Sequence, residues 1–341
     1  LHQQAPLTSA PESLPLRQPS TLRRLFIGEA GLRAGWSLLL FIALFAALGF
    51  SVRRIEHTLN PAALQRPVPG QEISPRFALE GEAIPVLIVI LVTWIMARIE
   101  RRPNSVYGLG GRRKLRHFLA GLGWGIVCLS LLILALWKTG LLVIDHRVLF
   151  GTNILRYAVL WLFCFFLVGL LEEYLTRGYV QYTLTRGLAG IYLWIFKTRH
   201  STALGFWTSA ILFSILFGLG HGKNPGESPI GLLAAGLAAL VFCLSLWRTG
   251  SLWWAIGFHA SWDWGQSFLY GVADSGLMMQ HHLLATHPVG KALLSGGTTG
   301  PEGSIFILPV LALACGIIVF TLPSVGHESE NPVKERIFRA A

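Results

Sequence analysis

Residues 155–179 read LRYAVLWLFCFFLVGLLEEYLTRGY, and this stretch decides the fold. From Tyr157 to Leu171 there is no charged side chain, and then two carboxylates, Glu172 and Glu173, follow at once. A bilayer-spanning helix needs roughly 20 mainly apolar residues, so the run reads as a membrane span. The helical pattern continues through Tyr179, Val180, Tyr182 and Leu184 to Arg186. If it is one helix, Glu172 sits about 21 Å from Arg186 at the helical rise. An ionisable group at that depth is costly and is a functional candidate. The plainer alternative is a span that ends at Leu171, with Glu172, Glu173 and Arg177 in headgroup water.

Working outward, this fourth run (155–171 or longer) stands among seven others, at 35–52, 83–99, 117–137, 203–221, 229–247, 251–270 and 304–323. The expected fold is therefore all-α, a polytopic membrane helix bundle of about eight transmembrane helices. Between the runs lie segments rich in Gly, Pro and Arg, as at Pro67 to Gly70 and Gly108 to Lys114, which read as loops. The expected organisation is a cytoplasmic N-terminal tail (1–34), three accessory helices (35–150), a core (151–272), a loop (273–303), a last helix (304–323) and a cytoplasmic C-terminal tail (324–341). No internal repeat is evident, which argues against a repeat-built transporter. No short apolar segment with a small-residue cleavage site precedes the first run, so no cleaved signal peptide is expected.

Composition agrees with a membrane protein. Of 341 residues, 53% are hydrophobic and 13% charged, about half the charged share of a soluble domain. The net charge of +11 reads as topology, because Lys and Arg collect in cytoplasmic loops. With the N-terminus inside, the inner segments hold roughly twice the Lys and Arg of the outer ones, and the dense Arg98–Arg116 cluster falls inside. Arg112, Arg113, Lys114 and Arg116 are expected at anionic lipid. No stretch is long and polar enough for a nucleic-acid-binding domain. Cys128, Cys164, Cys243 and Cys315 lie in separate apolar runs without CxxC spacing and read as buried hydrophobes. His281, His282 and His287, in the expected loop, read as solvated.

Three helical pairs carry the chemistry. Glu173 and Arg177 are four residues apart and share a face, whereas Glu172 points about 100° away and is free for other work. Phe217 and His221 share a face at the end of the fifth run, beside Gly218 and Gly220. His259 and Asp263 share a face in the seventh run, about 16 Å beyond Arg248. Trp253, Trp254, Trp262 and Trp264 surround that pair and read as a packed wall or interfacial belt. Each pair alone has a structural explanation. Together, polar groups from three apolar helices must find one another in lipid, giving a general base with electrophilic partners.

In their order and spacing, Glu172-Glu173-x-x-x-Arg177, Phe217-x-x-x-His221 and His259-x-x-x-Asp263 resemble the three motifs of the CPBP family. That family contains the type II CAAX prenyl endopeptidases and bacteriocin-processing and self-immunity proteins. The resemblance covers roughly 155–270. It implies a membrane-embedded endopeptidase in which Glu172 activates water, His221 assists, and His259 with Asp263 steadies the oxyanion. Glu173 and Arg177 match the family's supporting pair. Asn is common at the position of Asp263, and an ionised Asp cannot donate to an oxyanion; protonation, orienting of His259 or metal ligation are the roles left to it.

Two catalytic chemistries stay open. In one, Glu172 and His221 activate water and no cofactor is required. In the other, His221, His259 and Glu172 hold zinc, since two His and a carboxylate with an open position suit that ion. Two further classes also remain: a non-catalytic membrane scaffold or immunity protein, and a transporter using the buried Glu and His residues. The expected partners are membrane lipid and a membrane-associated protein or peptide substrate, prenylated or not, with no nucleic acid; the sequence leaves the oligomeric state open. The expected location is a bacterial cytoplasmic membrane, with both termini cytoplasmic.

Overall fold

The computed structural model describes residues 25–28, 31–59 and 72–323. The expected C-terminal tail and most of the N-terminal tail lie outside the described residues. The long helices are α1 (Ala34–Leu59), α2 (Pro75–Ile99), α3 (Lys114–Lys138), α4 (Thr152–Glu173), α5 (Gln181–Phe196), α6 (Ser201–Gly220) and α7 (Pro229–Thr249). Then come α8 (Trp253–Trp264), the single turn α9 (Ala292–Ser295) and α10 (Ile307–Thr321). A wide π turn, Tyr174–Val180, joins α4 to α5, so that Thr152–Phe196 is a continuous helical stretch of 45 residues. A second π turn, Gly265–Leu269, extends α8.

The fold is an all-α polytopic bundle. Among the described residues, six helical stretches are long and apolar enough to cross a bilayer: 34–59, 75–99, 114–138, 152–196, 201–223 and 229–249. The other two expected spans form shorter helices, α8 of 12 residues and α10 of 15. The physical reason is that α8 is enclosed by protein, with Trp254 through Phe258 and Ala260 through Asp263 all buried. A helix so enclosed need not match the thickness of the hydrocarbon layer. Many large apolar side chains on the outer helices are exposed, among them Leu39, Phe50, Leu87, Leu155 and Trp194, as a lipid-facing surface requires.

Local sequence sets the helix starts. Ser74 and Ser228 each precede a proline at the first helical position, and their hydroxyls accept Phe77 N–H (3.2 Å) and Gly231 N–H (3.1 Å). Gly250, at φ 64°, ends α7 in the left-handed conformation.

The connections sort into two ends. One end gathers Ile73, which bridges Met279, and strand β1 (Leu142–Arg147), which pairs antiparallel with β2 (Leu284–Pro288). At the same end, Thr298 and Thr299 hydroxyls donate to Gly226 O. These segments form a cap, so the expected loop at 273–303 holds a strand and a helical turn instead. Its histidines are engaged: His287 pairs with Asp145 at 2.8 Å, His281 stacks on Tyr157, and His282 Nδ1 bonds Leu284 O. The opposite end gathers Leu32, Glu100 to Gly110, Arg186, Arg248 to Leu252 and Leu322, through Arg186 to Leu32 O (3.2 Å), Leu252 N–H to Gly108 O (2.9 Å) and Arg248 to Leu322 O (2.7 Å). The chain thus crosses alternately between two ends, and Leu32 and Leu322 share one of them.

Helices α3 and α8 pack backbone to backbone. A Cβ on Gly121 would strike Trp254 O, one on Gly125 would strike Phe258 O, and one on Gly257 would strike Phe118 O. Small residues permit such approach in membrane bundles. Gly257→Val should therefore lower stability by about 1–3 kcal/mol or more, read as an earlier thermal unfolding in detergent. Gly123, whose Cβ would meet open space, is the matched control. Gly123→Ala should be neutral or stabilising by up to ~1 kcal/mol.

Candidate active site

At the junction of α4 and the π turn, Glu173 is fully buried and Arg177 nearly so. Arg177 NH1 meets Glu173 Oε1 at 2.7 Å, the pair expected from the four-residue spacing. The guanidinium also donates through Nε to Ala239 O of α7 at 3.3 Å. Its flat faces lie against Phe217 of α6 (4.8 Å) and Phe242 of α7 (5.6 Å). An unsolvated guanidinium is tolerable where its donors and faces are used in this way.

The same Glu173 oxygen holds His259 of α8, whose Nδ1 lies 3.1 Å away. A carboxylate at that distance assigns the proton to Nδ1. The other ring nitrogen, Nε2, then faces Asp263 Oδ2 at 3.5 Å and Glu172 Oε2 at 3.6 Å. Phe242 covers the imidazole, with ring centroids 5.6 Å apart. Glu172 differs from its neighbour in exposure, 31% of its side chain against none of Glu173, and in having no ion pair with Arg177; the Oε2 atoms of both are buried without a hydrogen-bond partner. One turn on, Thr176 returns its hydroxyl to Glu172 O.

Glu172, Glu173, Arg177, His259 and Asp263 are thus brought together, from the first and third motifs. His221 stands apart. It follows the end of α6 in a short 3₁₀ turn, His221–Lys223, and its Nδ1 is 2.9 Å from Phe217 O. Its ring packs on Phe217 at 4.7 Å, and Phe217 in turn lies against Arg177. Phe217 thus touches both His221 and Arg177, and His221 forms no ion pair with Glu172 among the described residues. Among the described residues, no three His, Cys, Asp or Glu side chains are gathered as metal ligands. Trp254 and Trp262 are buried in the core, and Trp264 Nε1 donates to Ala158 O at 2.9 Å, so the tryptophans are a packed wall.

Other acidic groups reach the site that sequence reading passed over. Glu82 of α2 interacts electrostatically with Glu172 and His259. It continues the buried stripe of Val86, Val89, Thr93 and Met96 at helical spacing. Starting the second span at 83 left Glu82 outside it; Ser74-Pro75, a helix-start signal, was the clue that the helix begins earlier. On the cap side, Asp274 lies in the field of Asp263 and Glu302. Burial, with those like charges, holds its carboxyl well above the usual carboxylate range. Nothing in the spacing of a loop residue signals that position.

The Arg177–Glu173 pair makes a stability prediction. Arg177→Leu leaves a buried carboxylate without its cation, and should cost about 3–5 kcal/mol in unfolding from detergent. Changing both residues to matched apolar side chains should cost less than that single change.

Comparison with known proteins bears on the same segment. Residues 154–265 match the family model described as type II CAAX prenyl endopeptidase Rce1-like. No curated protein and no solved structure gives a match. The matched segment runs from the start of α4 through α8 and contains all three motifs. With six stretches among the described residues able to cross a bilayer, the chain is an integral membrane protein, and its core over 154–265 is similar to the type II CAAX prenyl endopeptidase Rce1-like family of membrane proteases.

Proposed function

We propose that this chain is an intramembrane endopeptidase that hydrolyses a peptide bond of a membrane-associated protein or peptide, with Glu172 as the base. The observation that carries this reading is the Glu172 carboxylate: partly exposed where Glu173 is fully buried, outside the Arg177 pair, and 3.6 Å from His259 Nε2. Its neighbour Glu173 is committed to Arg177 and His259, so the two adjacent carboxylates divide into a holder and a reactant.

In the proposed reaction, water attacks the scissile carbonyl carbon and gives its proton to Glu172. The carbonyl oxygen takes the electron pair and becomes an oxyanion. His259, as an imidazolium with Nδ1–H held by Glu173, presents Nε2–H to that oxyanion; a fixed donor in a dry site acts strongly there. Asp263 orients the imidazole, since an ionised carboxylate cannot itself donate. Collapse breaks the C–N bond, and the proton on Glu172 passes to the leaving nitrogen. His221, with Nδ1 engaged by Phe217 O, has Nε2 left to assist that water.

If zinc is bound instead, Glu172, His221 and His259 are the residues to hold it, and it would supply Lewis acidity to the same water. His221 would have to move toward the other two. The reading also puts both termini in a bacterial cytoplasm, following the charge bias, with lipid and a membrane-associated substrate as partners.

Glu172→Ala should lower the rate of cleavage of a labelled peptide library by roughly 10²–10⁴-fold, the usual contribution of a positioned base. Full activity in that variant would refute the assignment. Wild-type activity should survive exhaustive chelation, with metal content measured in parallel. Loss on chelation and recovery with zinc would overturn the metal-free version.

A further inference from the structure

A second buried network lies at the end of the bundle opposite the cap, and none of the motif residues belongs to it. Glu100 caps the C-terminus of α2, and its side chain is 1% exposed. Its Oε1 accepts from Tyr179 OH at 2.9 Å and lies 3.7 Å from Arg186. Its Oε2 accepts from Tyr107 OH at 3.2 Å and lies 3.5 Å from Arg102. Tyr107 and Tyr179 are both fully buried, and Tyr179 also stacks on Phe41 of α1 at 4.3 Å.

Tyr179 is inside the π turn that begins directly after Glu173. Such turns are rare, and they are frequent at functional sites. In this one, Gln181 N–H reaches back five residues to Thr176 O. A wide turn of this kind adds about one residue to the helix, which rotates the preceding part by about 100° relative to an unbroken α-helix. Its register therefore decides whether Glu172 and Glu173 face His259. The turn is gripped from outside: Gly178 lies so near that a Cβ would come within 3.0 Å of Tyr107 O, and Tyr179 ties the turn to the end of α2.

We propose that Glu100, acting through Tyr179, is a positioning residue that fixes the register of the π turn and so aims Glu172 and Glu173 at His259. For its activity readout the proposal rests on the endopeptidase reading; its geometric readout does not.

Two variants of the full chain test it. Tyr179→Phe and Tyr107→Phe each remove one phenol donor from the same carboxylate and keep the ring, but only Tyr179 is in the turn. Tyr179→Phe should lower kcat about tenfold or more with KM within about twofold, because misplacement of reacting groups is costly. Tyr107→Phe should leave both within about twofold. Independently of activity, a Glu172→Cys/His259→Cys chain, with its native cysteines replaced, is treated with a short bifunctional thiol reagent. The cross-link yield should fall with Tyr179→Phe and hold with Tyr107→Phe. Equal effects of the two changes in cross-linking, or no effect of Tyr179→Phe, would overturn the proposal. Absence of cleavage in the wild type, with the expected cross-linking pattern, would overturn the endopeptidase reading and leave the positioning role standing.

Discussion

The ion pair between Arg177 and Glu173 is the constraint on which the site depends. In a hydrocarbon-lined interior a buried charge is costly, so each partner depends on the protein groups around it. Arg177 reaches Glu173, the Ala239 carbonyl and two phenyl rings. Glu173 reaches Arg177 and His259 through a single oxygen. Helices α4, α6, α7 and α8 are thereby fixed around one carboxylate. Breaking that contact would free the imidazole and strand two charges, which explains why a supporting pair is needed beside the reactive residue.

The site is rich in negative charge. Glu172, Glu173 and Asp263 face one guanidinium and one imidazole, and Glu82 adds a fourth carboxylate at short electrostatic range. Such crowding leaves little room for a further anion beside His259. It also gives a physical reason for Asp263 to orient the ring rather than bind an oxyanion.

Much of this was legible in the sequence because two periodicities were clean. The apolar runs gave the bundle, and the four-residue spacings gave the pairs Glu173–Arg177 and His259–Asp263, both of which meet in space. The free Glu172 followed from the 100° step of a helix. What was not legible depends on long-range packing. The enclosure of α8 shortens it below spanning length, and no hydropathy reading of 251–270 reveals enclosure by neighbours. The pairing of β1 with β2 joins segments well over a hundred residues apart. The continuation through Arg186 was visible in the pattern, but the π turn within it is held by Glu100 and Tyr179, residues far apart in sequence. His221 packs on Phe217, as their four-residue spacing implies.

The glycine-lined seam between α3 and α8 bears on mechanics. Two backbones in direct contact, with carbonyls seated where side chains would be, mesh like gear teeth and resist sliding or turning. His259 is therefore anchored to α3 as firmly as to its own helix, and the two travel as one body. Any breathing of the bundle that lets a long chain in falls to the loosely held periphery. By that measure α1 is the natural shutter: only 11% of its apolar stretch is buried, the smallest share among the six crossing segments.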